Sequence, residues 1–235
     1  MDKMLVIPDV HGRRFWKDAV HYHPEMPVIF LGDYHDPYPS EGITEEDSLA
    51  NFREILDYAA SHDNVQLLLG NHDLHYLCNF GEACRLDFDN YTEIRKLLLD
   101  NIDRMKIARL LEIGEHRVVF SHAPILKEWI SSVGLPDNPE EIVARLNKVV
   151  ENIEANPEDA VKLLGQISTL RGGWDQVGSP VWADCREING NLLSGVDYSI
   201  FGHTQLAKEF VTDSWADLDS RGAFILSPDL TLTRV

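Results

Sequence analysis

Five short stretches of this sequence collect the residue types that bind divalent cations. They are Asp9-Val10-His11-Gly12, Gly32-Asp33-Tyr34-His35-Asp36, Gly70-Asn71-His72-Asp73, Ser121-His122-Ala123 and Gly202-His203-Thr204. Carboxylate, imidazole and amide-oxygen donors together suit a borderline-hard ion such as Mn²⁺, Fe²⁺ or Zn²⁺. Asp9 and His11 stand two apart, so a slight turn lets both face one ion. Asp33 can bridge two ions with one carboxylate. Asn71 offers a neutral carbonyl oxygen, and His122 and His203 offer imidazole nitrogens. Six protein ligands spread over two ions leave positions open for water and substrate, as a catalytic site requires.

The chemistry this implies is an in-line displacement. Two ions about 3.5–4 Å apart clamp both the attacking and the leaving oxygen. A water shared by both would be largely hydroxide near neutral pH, and that hydroxide is the expected nucleophile. The leaving oxygen then needs a proton. His72 adjoins the ligand Asn71 and can point the other way, toward the leaving group. Asp36 can fix its tautomer, as an aspartate orients a catalytic histidine elsewhere.

The elements that must position these groups are legible around them. Apolar runs at residues 4–7, 28–31, 65–69, 118–120 and 198–201 each end in one of the five clusters. Runs this short, continuously apolar and rich in Val, Ile and Phe, read as buried strands. Residues 44–62 and 92–112 carry apolar side chains at helical spacing, and Thr44 with Asp47 forms a capping pattern. Strands alternating with helices predict an α/β domain whose ligands gather beyond the strands' carboxyl ends. Residues 139–155 and 157–168 read as a helical hairpin, each helix opened by proline. The expectation is one domain over residues 1–235, with this hairpin inserted at about 138–168 to cover or flank the site. The runs at 209–212, 223–226 and 230–233 predict an antiparallel sheet packing on the first.

Composition narrows the partners. The formal charge is −18. Such a surface repels nucleic acid polymers, whose binding draws on lysine and arginine. A phosphate-binding site must therefore carry its own local positive charge. No apolar run reaches the roughly 18 residues a membrane span needs. The start of the chain lacks the basic and small-residue pattern of a signal peptide, so a cytoplasmic location is expected. Cys78, Cys84 and Cys185 lack zinc-type spacing and are expected to be reduced thiols.

In this order, and each after a strand, the five motifs resemble the calcineurin-like metallophosphoesterases. They are most similar to the phosphoprotein phosphatase branch and its bacterial relatives, over residues 9 to about 222. The resemblance implies two mixed β-sheets packed face to face with helices outside. It assigns Asp9, His11 and Asp33 to a first metal, and Asp33, Asn71, His122 and His203 to a second. It makes His72 the general acid and Asp36 its partner. The expected cofactors are two divalent ions, Mn²⁺ first, with iron or zinc as the other options.

Two departures from the branch bear on substrate. Gln205 stands where the broader family has a second histidine ligand, which favours the phosphatase branch. Pro37 stands where that branch has an arginine that grips the substrate phosphate. Arg171 and Arg186 lie where the branch places another phosphate-binding arginine, Arg171 being preferred. Arg13 and Arg14, just after the first cluster, are further candidates. The leading reading is hydrolysis of phosphomonoesters on phosphoprotein or small metabolite. The alternatives are a hydrolase of dinucleoside polyphosphates or other nucleotides, and a metal-bound scaffold without turnover.

Overall fold

Strands covered on both faces have no reason to alternate polar and apolar residues, and the apolar runs prove to be such strands. The computed structural model describes residues 3–81 and 83–235. The chain runs β1 (Met4–Ile7), α1 (Phe15–Tyr22), β2 (Val28–Phe30), α2 (Glu45–Ser61), β3 (Val65–Leu68), α3 (Asn71–Leu77), α4 (Tyr91–Asp100) and β4 (Met105–Lys106). It continues through β5 (Ala108–Ile113), β6 (His116–Ser121), α5 (Lys127–Ser132), α6 (Pro139–Glu151) and α7 (Pro157–Leu164). It ends with β7 (Tyr198–Phe201), β8 (Phe210–Val211), β9 (Trp215–Asp217), β10 (Phe224–Leu226) and β11 (Leu232–Arg234).

Two mixed sheets result. The first has the order β11-β10-β1-β2-β3-β4, with β1 to β4 parallel and β10 antiparallel to β1. The second has the order β5-β6-β7-β9-β8, with β6, β7 and β9 parallel. Side chains alternate across each strand. Met4 and Val6 of β1 join Phe120 and Ile200 of the second sheet in one buried cluster. Leu5 and Ile7 point the other way, into a larger cluster with Trp16 of α1, Phe52 and Ile55 of α2, and Leu98 of α4. The sheets thus pack face to face with helices outside. Among the described residues no helix is long and apolar enough to cross a membrane.

Two expectations need correction. The helical pattern at 92–112 stops at Asp100. The Asn101 side chain donates to the Leu97 carbonyl at 2.9 Å and its backbone N–H to Leu98, which closes the helix. Met105, Ile107 and Ala108 lie instead on extended backbone that crosses between the sheets, and Gly114 (φ 60°) turns β5 into β6. The C-terminal strands also form no sheet of their own. β8 and β9 extend the second sheet, while β10 and β11 extend the first.

The helical hairpin is present, with α6 and α7 shorter than the sequence pattern and each carrying proline in its first turn. Helix α6 lies against β4 and β5. Its Ile142, Leu146 and Val149 are core residues. Asn147 clamps the crossover between the sheets. Its Oδ1 accepts from Ile107 N at 2.9 Å and Ala108 N at 3.3 Å, and its Nδ2 donates to Ala108 O at 3.0 Å. Asn147→Ala leaves these backbone groups without partners and should lower unfolding free energy by about 1–3 kcal/mol. Chemical denaturation checks this, and a change near zero would show that the clamp holds nothing.

Candidate metal centre

All five clusters stand at the carboxyl ends of β1, β2, β3, β6 and β7, so one rim of the sandwich collects them. The turns that deliver them are strained. His11 (φ 45°), Asp33 (52°), Asp36 (58°) and His203 (70°) all have left-handed backbone, which non-glycine residues rarely adopt. Strain of this kind persists only where surroundings over-determine it. Asp73 is one such determinant. Its carboxylate accepts from Asp33 N at 2.7 Å, Tyr34 N at 3.1 Å and Gly70 N at 2.8 Å, so it ties the β2 and β3 turns together.

The ring orientations follow from carbonyl partners. His11 Nδ1 lies 2.9 Å from His35 O and 3.0 Å from Asp36 O. A carbonyl only accepts, so Nδ1 carries the proton and Nε2 keeps its lone pair. His122 Nδ1 lies 2.9 Å from Leu31 O, which leaves its Nε2 unprotonated in the same way. Both lone pairs point at one atom. Asp33 Oδ2 stands 3.4 Å from His11 Nε2 and 3.5 Å from His122 Nε2. Asn71 Oδ1 stands 2.9 Å from His122 Nε2. His203 Nδ1 is 3.1 Å from His122 Nε2, and a proton there would satisfy that one contact alone.

The result is a buried set of acceptors with no donor between Asp33, Asn71, His11 and His122. His203 Nε2 is also buried without a hydrogen-bond partner among the described residues. Acceptors this close in a dry site repel unless a cation lies between them. The set therefore fits divalent ions. Two groupings bring ligand atoms within 4.8 Å of one another: His11, Asp33 and His72, and Asp33, His122 and His203. Asp33 belongs to both. Burial, then the Asp9 and Asp73 carboxylates, raise its proton affinity well above the usual range. Burial likewise holds His11, His122 and His203 below the ordinary imidazole value, so all three stay neutral and ligand-ready.

Asp9 lies in the same cluster but is turned toward His203, whose backbone N–H reaches its two oxygens at 3.0 and 3.2 Å. That contact stitches the end of β1 to the end of β7, and it requires glycine at position 202. A Cβ there would sit 2.1 Å from Asp9 Oδ1.

His72 Nδ1 meets Asp36 Oδ2 at 2.7 Å, which leaves Nε2 turned away from that carboxylate. Tyr76 donates its hydroxyl to the other Asp36 oxygen. Burial, and next Arg85, lower the proton affinity of His72, while burial pushes Asp36 up to about 6. The ring of His72 stands perpendicular to His11 at 5.0 Å between centroids.

The arginines divide. Arg171 reaches His203 O at 3.4 Å and Asp184 at 3.6 Å. Arg13 is buried at the site, but Glu41 grips its guanidinium with two bonds of 2.7 and 2.9 Å, and its remaining contact is Asp9 O at 3.3 Å. Arg186 is not brought in. Its exposed side chain closes on both Asp184 oxygens, at 2.7 and 2.9 Å. Arg14 pairs with Glu54 on the surface. Two residues escaped sequence reasoning: Asp73, visible only as part of a motif, and Arg85, which donates to Asp36 O at 2.8 Å from a loop without pattern. Trp182 is buried edge-on to His203 at 5.9 Å, and Trp174 is fully exposed.

A face-to-face sandwich with a histidine–carboxylate cluster at its strand ends is the architecture of metallophosphoesterases. The sequence profile of the calcineurin-like phosphoesterase family matches residues 3–206, and the chain belongs to this family. Symmetrical bis(5'-nucleosyl)-tetraphosphatases from three strains of Shewanella baltica are each 34% identical over 87 residues, covering 35% of this chain. The match spans only 31% of those relatives' length. Two structures of a cold-active protein tyrosine phosphatase, one a point mutant, superpose with TM-scores of 0.60 and 0.59 at 16% identity. They match over all of this chain and 80% and 78% of theirs, a likeness of fold.

Gly202→Ala drives a methyl group into the Asp9 carboxylate, and overpacking of this kind costs about 1–3 kcal/mol. Adding Asp9→Ala removes the clash, so the double variant should lose less than the sum of the two single losses. Strict additivity in denaturation experiments would mean that Gly202 does not serve this approach.

Proposed function

We propose that the chain is a metal-dependent phosphoesterase acting on phosphomonoesters, of a phosphoprotein or a small metabolite. The observation that carries this reading is Asp33 Oδ2 poised between two imidazole lone pairs, beside the His72–Asp36 pair. Asp9, His11 and Asp33 would hold a first ion, and Asp33, Asn71, His122 and His203 a second. Such ions supply positive charge to the phosphoryl oxygens and acidify water into a nucleophile.

The chain's own groups do the rest. Asp33 spans the two halves of the centre and fixes their separation. Asp73 holds the Asp33 turn by its backbone, so the carboxylate cannot swing out. Asp36 holds Nδ1–H of His72, which aims Nε2 toward the open side of the site. An arriving phosphate carries the opposite charge to Arg85 and raises the proton affinity of His72. Nε2 then donates to the departing oxygen. Arg171 approaches from the His203 side to hold a phosphoryl oxygen.

A second reading, hydrolysis of dinucleoside polyphosphates, draws support from the named activity of the partial Shewanella relatives. A panel of phosphopeptides, a generic aryl phosphate and dinucleoside polyphosphates, assayed with Mn²⁺, separates the two. Preference for the polyphosphate by orders of magnitude in kcat/KM would replace the first reading with the second.

Chelation should abolish turnover, and Mn²⁺ should restore it better than Ca²⁺, which prefers more oxygen ligands than this set offers. Full activity after verified metal removal would defeat the metal reading. His72→Asn should keep its metal content yet lose about 10²–10⁴ in turnover on an alkyl phosphate such as phosphoserine. The loss should be far smaller on an aryl phosphate, whose phenolate leaves without a proton. Equal losses on both substrates would show that His72 acts on something other than the leaving group.

A further inference from the structure

Arg85 stands apart from the other arginines at the centre. Arg13 is neutralised by Glu41 and Arg171 faces Asp184. Arg85 has no carboxylate within ion-pairing distance among the described residues. Its Nη2 donates to Asp36 O at 2.8 Å, the same carbonyl that takes Nδ1–H of His11 at 3.0 Å. Its guanidinium lies 4.0 Å above the Tyr38 ring, one residue after Pro37. Its Nε is buried and finds no acceptor among the described residues. In a chain of net charge −18, an unpaired guanidinium with an idle buried N–H calls for an anion.

The surroundings say where that anion sits. Tyr38 also meets the His11 ring at 4.9 Å, so Arg85, Tyr38 and His11 form one packed edge of the centre. Arg171 holds the carbonyl of His203, a member of the second ligand grouping. Each arginine is thus fastened by one N–H to a backbone carbonyl of the site, and the two come from different sides. Next to Arg85 a cavity of about 580 Å³ is lined by Cys84, His75, Phe88 and Tyr91. Arg85 itself lines this cavity and reaches Asp36 O, so the cavity adjoins the centre.

We propose that Arg85 grips the phosphoryl oxygens of the substrate from the His11 side, supplying the guanidinium that Pro37 leaves missing. This rests on the phosphoesterase reading and deepens it. A planar fork suits this role, because one N–H pins the group to Asp36 O while others remain for oxygens of the anion. The cavity beside it has room for whatever the phosphate is attached to.

The test measures binding rather than turnover, so that it survives failure of the esterase reading. Inorganic phosphate is titrated calorimetrically into Mn²⁺-loaded protein, with metal content and thermal midpoint recorded for each variant. Arg85→Ala should weaken phosphate about 10- to 100-fold, as expected for losing charge-assisted hydrogen bonds. Arg85→Lys keeps one donor for Asp36 O and the charge, but loses the fork. It should retain wild-type metal content and still weaken phosphate several-fold. Lys96→Ala, which removes a distant surface charge, should match wild type. If Arg85→Lys binds phosphate like wild type, Arg85 merely fastens the Asp36 carbonyl, and the proposal falls. It also falls if Arg85→Ala is unchanged, or if the loaded wild type binds no phosphate. Arg85-dependent phosphate binding without turnover of any ester would instead overturn the esterase reading and leave this one standing.

Discussion

The structure turns on a repulsion. Asp33 Oδ2 sits between the lone pairs of His11 and His122, and Asn71 Oδ1 faces the latter at 2.9 Å. Both ring nitrogens lack a proton, all these residues are buried, and the raised proton affinity of Asp33 records the repulsion. An apolar interior would expel such a group or protonate it. This fold instead fixes both rings from behind by hydrogen bonds that use up their Nδ1 protons: Leu31 O on His122, Asp36 O and His35 O on His11. The lone pairs have nowhere to turn. The backbone carbonyls thus hold in place a set of groups that could bind a cation.

That arrangement explains the placement of strands and the strain of turns. Parallel strands bring their carboxyl ends to one rim, so β1, β2 and β3 of the first sheet and β6 and β7 of the second can all contribute. Each contribution must stop and double back at once, hence left-handed backbone at His11, Asp33 and His203. Asp9, bonded to the His203 N–H, and His122, bonded to Leu31 O, cross between the sheets at this rim. The centre is thus a seam of the sandwich as well as a site.

The sequence made this seam legible because its chemistry is local. Each candidate ligand group follows a short apolar run, five times over. What the sequence hid was decided at long range. The apolar spacing that begins at Thr92 persists past Asn101, where the side chain of Asn101 caps the helix, so periodicity overran the true end. Phe224 to Leu226 could not be given to the first sheet, because nothing local says that β10 lies antiparallel to β1. Asp73 was visible only as part of a motif, since its role is read from three backbone N–H groups up to forty residues away. Arg85 lies in a stretch with neither helical nor strand pattern, and only the fold carries it to Asp36. Arg186 was offered by its position in the chain, and Asp184, two residues back, holds its guanidinium.

The chain's charge sharpens what the arginines must do. A surface of net −18 disfavours an approaching phosphate beyond roughly a Debye length, about 8 Å at physiological salt. Within that distance only local groups count, and carboxylates already occupy most of the arginines nearest the centre. Glu41 takes Arg13 and also Arg221, so one carboxylate fastens two guanidiniums beside the β1 turn. Asp184 is shared between Arg186 and Arg171, at 2.7 and 3.6 Å, so Arg171 is the less committed of the pair. Local positive charge therefore comes from Arg171 and Arg85, and at the core it would come from cations held by the buried acceptors. With cations held by that set, a phosphate would meet its strongest attraction beside the ring of His72.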